Sequence, residues 1–242
     1  MPDTTPVCLS IVSHGQGALI RPLLADLSRG AVAAAEIIVT LNLPEDESFL
    51  REFPALPLRV IRNDAPQGFG ANHNAAFRAS TAPYFVVVNP DIRLQEFSIA
   101  PLLAALDDPS IGLAAPLVFS GAGELQDSAR RFPTVGRLLR RKLQGVRGPD
   151  YVFGQAPAEV DWVAGMFMVL RRDTYAAIGG FDDRYFMYFE DVDLCKRLRG
   201  RGLRTVVVPG VRVIHDAQRA SRRSARHLAW HLTSAFRFLA GN

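Results

Sequence analysis

Cysteine is scarce in this chain. Its 242 residues include only Cys8 and Cys195, each inside an apolar or helical pattern, so a disulfide scaffold and a cysteine-rich zinc site are both excluded. A reducing, cytoplasmic setting is the expectation. No apolar run approaches the roughly 20 residues of a membrane span. The opening Met1-Pro2-Asp3-Thr4-Thr5 has neither a basic n-region nor an apolar h-region, so no secretory leader is expected. Repeats, low-complexity tracts and a clean linker are missing as well. With 48% hydrophobic and 21% charged residues, the composition is globular rather than disordered. The expectation is one continuous domain over residues 1–242.

The net charge of +4 conceals an asymmetry. Residues 128–149 hold seven basic side chains and no acid; residues 196–226 hold ten against Asp216 alone. Such blocks suit a phosphate-bearing ligand, a polyanion or an anionic membrane surface, and equally a solvated arginine-rich face.

Strand and helix signals alternate through the first half. Val7–Val12, Ile37–Val39, Leu58–Ile61 and Tyr84–Val88 read as short buried strands, with helices after Gly17 and Gly68. That order implies a parallel sheet with crossover helices, whose ligands bind beyond the carboxyl ends of the strands. Attention falls on Ser13-His14, on the segment after Val39 and on Asn89-Pro90-Asp91. In the second half, Gly112–Phe119, Val160–Leu170, Thr205–Val208 and Val211–Ile214 are expected strands, with a basic, helix-prone insert after the first. Helices are expected over Glu190–Gly202 and Ser221–Ala240.

Four features carry chemistry. Asp91, at the mouth of an apolar strand, could hold a divalent cation bridging a diphosphate, although Asn, Pro and Asp also form plain turns. Gly68-Phe69-Gly70 opens a helix whose N-terminus favours phosphate, but the spacing is not a dinucleotide fingerprint. Glu190, Asp191 and Asp193 begin a helix directly after the aromatic run Tyr185–Phe189. Helix capping explains one or two such acids; a carboxylate held against aromatic surface also suits a general base. His215 ends a strand and becomes a metal-ligand candidate if the fold brings it to Asp91. No Ser/His/Asp or Cys/His nucleophile pattern is present.

The order of these motifs resembles the inverting, family 2-type glycosyltransferases of GT-A fold, in particular their rhamnosyltransferase-like branch. The matching pieces are Ile11-Val12-Ser13-His14, Asn63 through Asn74, Asn89-Pro90-Asp91, Trp162-Val163-Ala164-Gly165, Gly179-Gly180-Phe181-Asp182, Phe189–Leu194, and His215 with Ser221. The resemblance implies an α/β fold with a mixed, mainly parallel sheet flanked by helices. Residues 1–119 would form a nucleotide-sugar half and 120–242 an acceptor half ending in a helix. It assigns Asp91 and His215 to a Mg²⁺ or Mn²⁺ ion and the diphosphate, and Asp191, with Glu190 as rival, to the base. Ser13, His14, Asn42, Asn63, Gly68, Asn74 and Asn89 fall on the donor side; Trp162, Gly165 and Asp182 fall near sugar or acceptor.

Two departures stand out. The acid that relatives carry after the second strand is replaced by Leu41-Asn42, and their Asp-x-Asp is here Asn89-Pro90-Asp91. Asn-Pro-Asp is familiar in the rhamnosyltransferase-like branch, which points to dTDP-rhamnose, then UDP-sugars, as donor. The implied acceptor is a glycan or lipid-linked glycan of cell-surface polysaccharide synthesis, with no nucleic acid partner. A sugar-nucleotide pyrophosphorylase is the rival enzyme, but Ser13-His14-Gly15-Gln16-Gly17 lacks its lysine. A non-enzymatic polyanion binder leaves the aromatic and acidic cluster unexplained. Leu228, Leu232, Phe236 and Leu239 form an apolar stripe on the last helix, preceded by Arg219, Arg222, Arg223 and Arg226. That stripe could pack on the domain or attach peripherally to the inner membrane face.

Overall fold

A computed structural model describes residues 6–32, 34–134, 136–137, 149–215 and 225–241, the side chains of residues 35, 225 and 226 excepted. Most of the basic insert, and Asp216, Arg219, Ser221, Arg222 and Arg223, lie outside the described residues, as does the side chain of Arg226. In chain order the elements begin with β1 (Val7–Ser13), α1 (Gly17–Ser28), β2 (Ala34–Leu41), β3 (Leu58–Arg62), α2 (Phe69–Ala79) and β4 (Tyr84–Val88). There follow β5 (Ile92–Arg93), α3 (Ala100–Ala105), β6 (Ile111–Ser120), β7 (Ala129–Arg130), β8 (Ala158–Val160), β9 (Trp162–Val163) and β10 (Phe167–Arg171). The last are α4 (Arg172–Ala177), α5 (Glu190–Gly200), β11 (Arg204–His215) and α6 (Ala225–Ala240).

One sheet runs β3-β2-β1-β4-β10-β6-β11-β5, with β8 also paired to β11. The strands β3, β2, β1 and β4 are parallel. β10 inserts antiparallel between β4 and β6. Beyond it, β11 runs parallel to β6 and antiparallel to β5 and β8. The apolar runs are continuous because both sheet faces are covered. Leu9, Ile11, Val86 and Val88 pack with Ile20, Leu23 and Leu24 of α1. Cys8, Phe85 and Val87 pack on the other face with Ala76, Leu194 and Leu198.

Two expectations are corrected. Val160–Leu170 is not one strand: Met166 N–H donates to Ala164 O at 2.7 Å in a tight turn. β8, β9 and β10 consequently pair with β11, β7 and the β4/β6 pair respectively. Conversely, Pro209-Gly210 does not end a strand; it forms an irregularity between Val208 and Arg212 inside continuous β11, where a proline is tolerated. Among the described residues no helix is long and apolar enough to cross a membrane.

Candidate active site

The parallel topology gathers the carboxyl ends of β1, β2, β3 and β4 at one edge, and polar side chains occupy it. Asn42 is the hub: its Nδ2 lies 3.1 Å from His14 Nδ1 and donates to Gln67 O at 2.9 Å. Its Oδ1 accepts from Asn63 Nδ2 and from Gln67 N–H, both at 2.8 Å. Asn63 also donates to the fully buried Asn72, which in turn donates to Gly68 O. Ser13 is fully buried and accepts from Gln16 N–H at 3.0 Å, fixing the loop into α1. Ser13, His14, Asn42 and Asn63 are thus brought together. Gln67 and Asn72 were not singled out in the sequence, because isolated amides in a loop and a helix carry no pattern.

Asp91 and His215 are 124 residues apart in sequence, yet β5 pairs with the end of β11, His215 opposite Ile92. Imidazole Nε2 faces Asp91 Oδ2 at 3.1 Å. Gln126 orients the ring. Its Nε2 donates to His215 O at 3.2 Å, which a carbonyl can only accept, so its Oε1 must be the atom 2.9 Å from His215 Nδ1. Nδ1 therefore carries the proton, and Nε2 presents either a lone pair or a second proton to the carboxylate. Asp91 Oδ1 is buried and has no hydrogen-bond partner. A ring nitrogen facing a carboxylate, beside an orphaned carboxylate oxygen, makes a place for a proton or a hard cation. Among the described residues no group of three or more His, Cys, Asp and Glu stands together, so these two would need further ligands from phosphate and water. Buried Asp26 anchors the segment: it accepts from Arg93 Nε at 2.8 Å and from Leu94 N–H at 2.9 Å.

Asp191 stands at the start of α5, half-buried. Its Oδ2 accepts from Gly165 N–H at 3.1 Å and its Oδ1 from Val192 N–H at 2.8 Å. The next residue, Met166, accepts Asn89 N–H at 2.9 Å, so two adjacent residues tie the Asp91 turn to Asp191. Burial raises the Asp191 carboxyl above its ordinary value, against the pull of the two N–H donors. Burial, and then the charge of Asp191, lift Glu190 well above the ordinary value. Glu190 Oε2 is buried without a partner. Tyr188 and Phe189, just before the pair, both have left-handed backbone, at φ 71° and 69°. Two consecutive non-glycine residues there cost roughly 1–3 kcal/mol each, which marks a segment held by its surroundings.

The remaining candidates sit as follows. Asn74 faces the Gly179–Asp183 turn, donating to Phe181 O and Asp183 Oδ1 and accepting from Tyr175 O–H and Phe181 N–H. Its amide is fully engaged there, away from the Asn42 network. Gly68 is small because a Cβ would lie 2.9 Å from Phe186 Cα and 2.8 Å from its carbonyl oxygen. The close approach is to the protein's own aromatic run. Gly165 lies against the Phe69 ring, 3.0 Å from where its Cβ would stand. Trp162 Nε1 donates to Arg131 O at 3.0 Å, and the Arg130 guanidinium lies 5.7 Å from the indole. Asp182 is paired with Arg184 at 2.7 Å, which holds its carboxyl below the ordinary value despite burial.

Comparison with known proteins identifies the family and the fold. Residues 4–233 match the family described as Glycosyltransferase like family 2. The N-acetylglucosaminyl-diphospho-decaprenol L-rhamnosyltransferase of Mycobacterium tuberculosis is 32% identical, aligned over 99% of this chain and 85% of its own. Rhamnosyltransferase WbbL of Escherichia coli is 31% identical over 97% of this chain and 92% of its own. Two solved structures share the GT-A fold. GalNAc-T7 with UDP, GalNAc and Mn²⁺ superposes with a TM-score of 0.67 at 16% identity, over 90% of this chain and 44% of that one. The mannosyltransferase PcManGT of Pyrobaculum calidifontis, with GDP-Man and Mn²⁺, gives 0.65 at 18% identity, over 96% of this chain and 64% of that one.

Proposed function

This chain belongs to glycosyltransferase family 2, and from that membership we propose that it transfers L-rhamnose, with inversion, from a nucleoside-diphosphate donor to an acceptor hydroxyl. The donor in this reading is dTDP-rhamnose, with UDP-sugars next. The acceptor is a glycan or lipid-linked diphosphate glycan of cell-surface polysaccharide synthesis, met at the cytoplasmic face of the inner membrane. The whole chain works as one unit: residues 1–119 hold the donor, and 120–242 shape the acceptor side.

Asp91 and His215 would hold a Mg²⁺ or Mn²⁺ ion, their hard oxygen and imidazole fitting either one when phosphate oxygens complete the shell. When bound, the ion neutralises charge on the departing diphosphate. Asn89 is kept beside Asp91 by its bond to Met166 O. His14, Asn42 and Asn63 face the nucleoside side with amide and imidazole groups. Asp191, oriented by Gly165 and Val192 N–H, accepts the proton of the acceptor hydroxyl. That oxygen then bonds to the anomeric carbon from the face opposite the diphosphate, the carbon–diphosphate bond breaks, and configuration inverts. A carboxylate raised toward working pH by burial is a better base than an exposed one.

The observation that carries the reading is the Asp91–His215 pair, with His215 Nε2 and Asp91 Oδ2 3.1 Å apart beside an orphaned carboxylate oxygen. The test compares two variants. Asp91→Asn should abolish metal-dependent thermal stabilisation by dTDP or UDP. Asp191→Asn should retain that stabilisation while turnover falls by about 10²–10⁴-fold. No metal-dependent response to dTDP, UDP or GDP in the native chain refutes the donor site. Full transfer by Asp191→Asn refutes the assigned base, and loss in Glu190→Gln instead moves the role by one residue.

A further inference from the structure

Among the described residues, the last helix is fastened to the domain by one side. On α6, Tyr188 O–H lies 2.9 Å from His227 Nδ1, the Trp230 ring lies 4.8 Å from that of Phe186, and Ser234 Oγ donates to Met187 O at 2.9 Å. Phe238 packs on Phe189, with ring centres 5.6 Å apart. These residues recur at helical spacing, so they define the inner side. The apolar stripe read from the sequence lies on the other side. Leu228, Leu232 and Phe236 are 61%, 60% and 77% exposed, and Leu239 is 40% exposed. At about 100° per residue these four fall within an arc of about 80°, flanked by Ala229 and Ala240 and containing no charged side chain. Among the described residues the domain's aromatic run meets the opposite face of the helix.

We propose that the outward face of α6 docks on an anionic lipid bilayer, with the helix lying along the interface. Residues 217–226 contain four arginines and no aspartate or glutamate, while Arg237 donates to Arg184 O on the inner side. That charge complements acidic headgroups, which attract basic segments beside an apolar face. A second copy of the chain is disfavoured as occupant, since it would bring the same net positive charge to the same contact. From Leu228 to Leu239 the stripe extends about 16 Å, long enough to insert side chains into the headgroup boundary and too short to span it. Docking there would hold the Tyr185–Phe189 run, packed on the inner side of α6, one helix diameter (~10 Å) from the surface at which a lipid-linked acceptor is presented.

The test is co-sedimentation of the full chain with vesicles of phosphatidylcholine containing about 30 mol% phosphatidylglycerol, against pure phosphatidylcholine. The native chain should pellet with the anionic vesicles only, and release as salt rises toward about 0.5 M. Leu232→Glu/Phe236→Glu should lose at least about tenfold in vesicle affinity. Its melting temperature and its metal-dependent response to dTDP or UDP should stay unchanged, which separates failure of docking from failure of the donor site. If the glutamates disturb folding, Leu232→Ser/Phe236→Ser serves the same purpose. Equal binding to neutral vesicles, no binding to either, or a native dimer in sedimentation velocity that the double variant dissociates would each overturn the proposal.

Discussion

Asn74→Ala tests a residue whose surroundings the sequence did not reveal. The Asn74 side chain makes four bonds, to Phe181 O at 2.8 Å, Asp183 Oδ1 at 2.7 Å, Tyr175 O–H at 2.7 Å and Phe181 N–H at 3.0 Å. Truncation leaves the Phe181 N–H and C=O and the Tyr175 hydroxyl without those partners. Tyr175 and Phe181 are 1% and 2% exposed, so water does not reach them freely. Each buried orphan costs about 1–3 kcal/mol, and a water entering the space of the lost amide would offset part of it. The expected loss is about 3–5 kcal/mol, large against the roughly 5–15 kcal/mol of a typical domain. For a chain of this length that is a fall in melting temperature of about 6–20 °C. Urea unfolding at 25 °C should show a lower midpoint at unchanged slope. Below the transition, metal-dependent dTDP or UDP binding should persist. A loss under about 1 kcal/mol, or normal stability with lost nucleotide binding, would refute the reading and return Asn74 to the donor site.

Two further outcomes follow from the acids of α5. Glu190 has a folded pKa raised above its ordinary 4.5 by burial and by Asp191, so the native state binds its proton more tightly. Its contribution is present below the unfolded value and lost as pH rises from about 4.5 through the raised value; Glu190→Gln should therefore raise the melting temperature at about pH 8 and leave it nearly unchanged at about pH 4, and equal effects at both would contradict this. Gly165→Ala would put a Cβ 3.0 Å from the Phe69 ring and 3.9 Å from Asp191 Cβ. Overpacking of this kind costs about 1–3 kcal/mol, and displacing Asp191 should cut turnover about 10- to 100-fold with nucleotide binding intact; unchanged turnover would show that Gly165 does not position the acid.

β1, β2 and β4 were legible because they are buried on both faces and bounded by turn residues. Tyr84–Val88 is found with the same limits. The second half was harder to read for local reasons. Trp162-Val163 and Phe167–Arg171 form one apolar stretch in sequence, and only the turn at Ala164–Met166 sends them to different partners. Pro209-Gly210 reads as an end of strand, yet long-range pairing with β6 carries β11 through it. The site shows the same division. Asp91, Glu190 and Asp191 could be singled out by their positions at a strand mouth and a helix start. The proximity of His215 to Asp91 depends on the antiparallel pairing of a two-residue strand, which leaves no sequence signal. Gln126, which orients His215, is invisible for the same reason. Gly68 was noticed for the right property, its lack of a side chain, but the neighbour that requires it is Phe186.

The segment Tyr185–Phe189 explains why these features belong to one device. On one side, Phe186 O accepts Phe69 N–H at 2.9 Å, the first helical residue of α2 after Gly68. On the other, Met187 O accepts Ser234 Oγ and the Tyr188 hydroxyl meets His227, both on α6. The segment is therefore gripped between a helix beside the amide network and the helix with the exposed apolar face. Two left-handed residues in succession do not persist unless neighbours over-determine them, and these contacts supply that constraint. The strained pair leads directly into Glu190 and Asp191, so the grip fixes where α5 begins and where its first carboxylates stand. Gly165 N–H then closes the arrangement from β10's approach, binding Asp191 while Met166 O holds Asn89. The position of the acid relative to Asp91 is thus set by three chain segments that are remote in sequence. Helix propensity alone would start α5 with any capping residue; it is the aromatic bracket that makes this start carry the buried Glu190 and the half-buried Asp191.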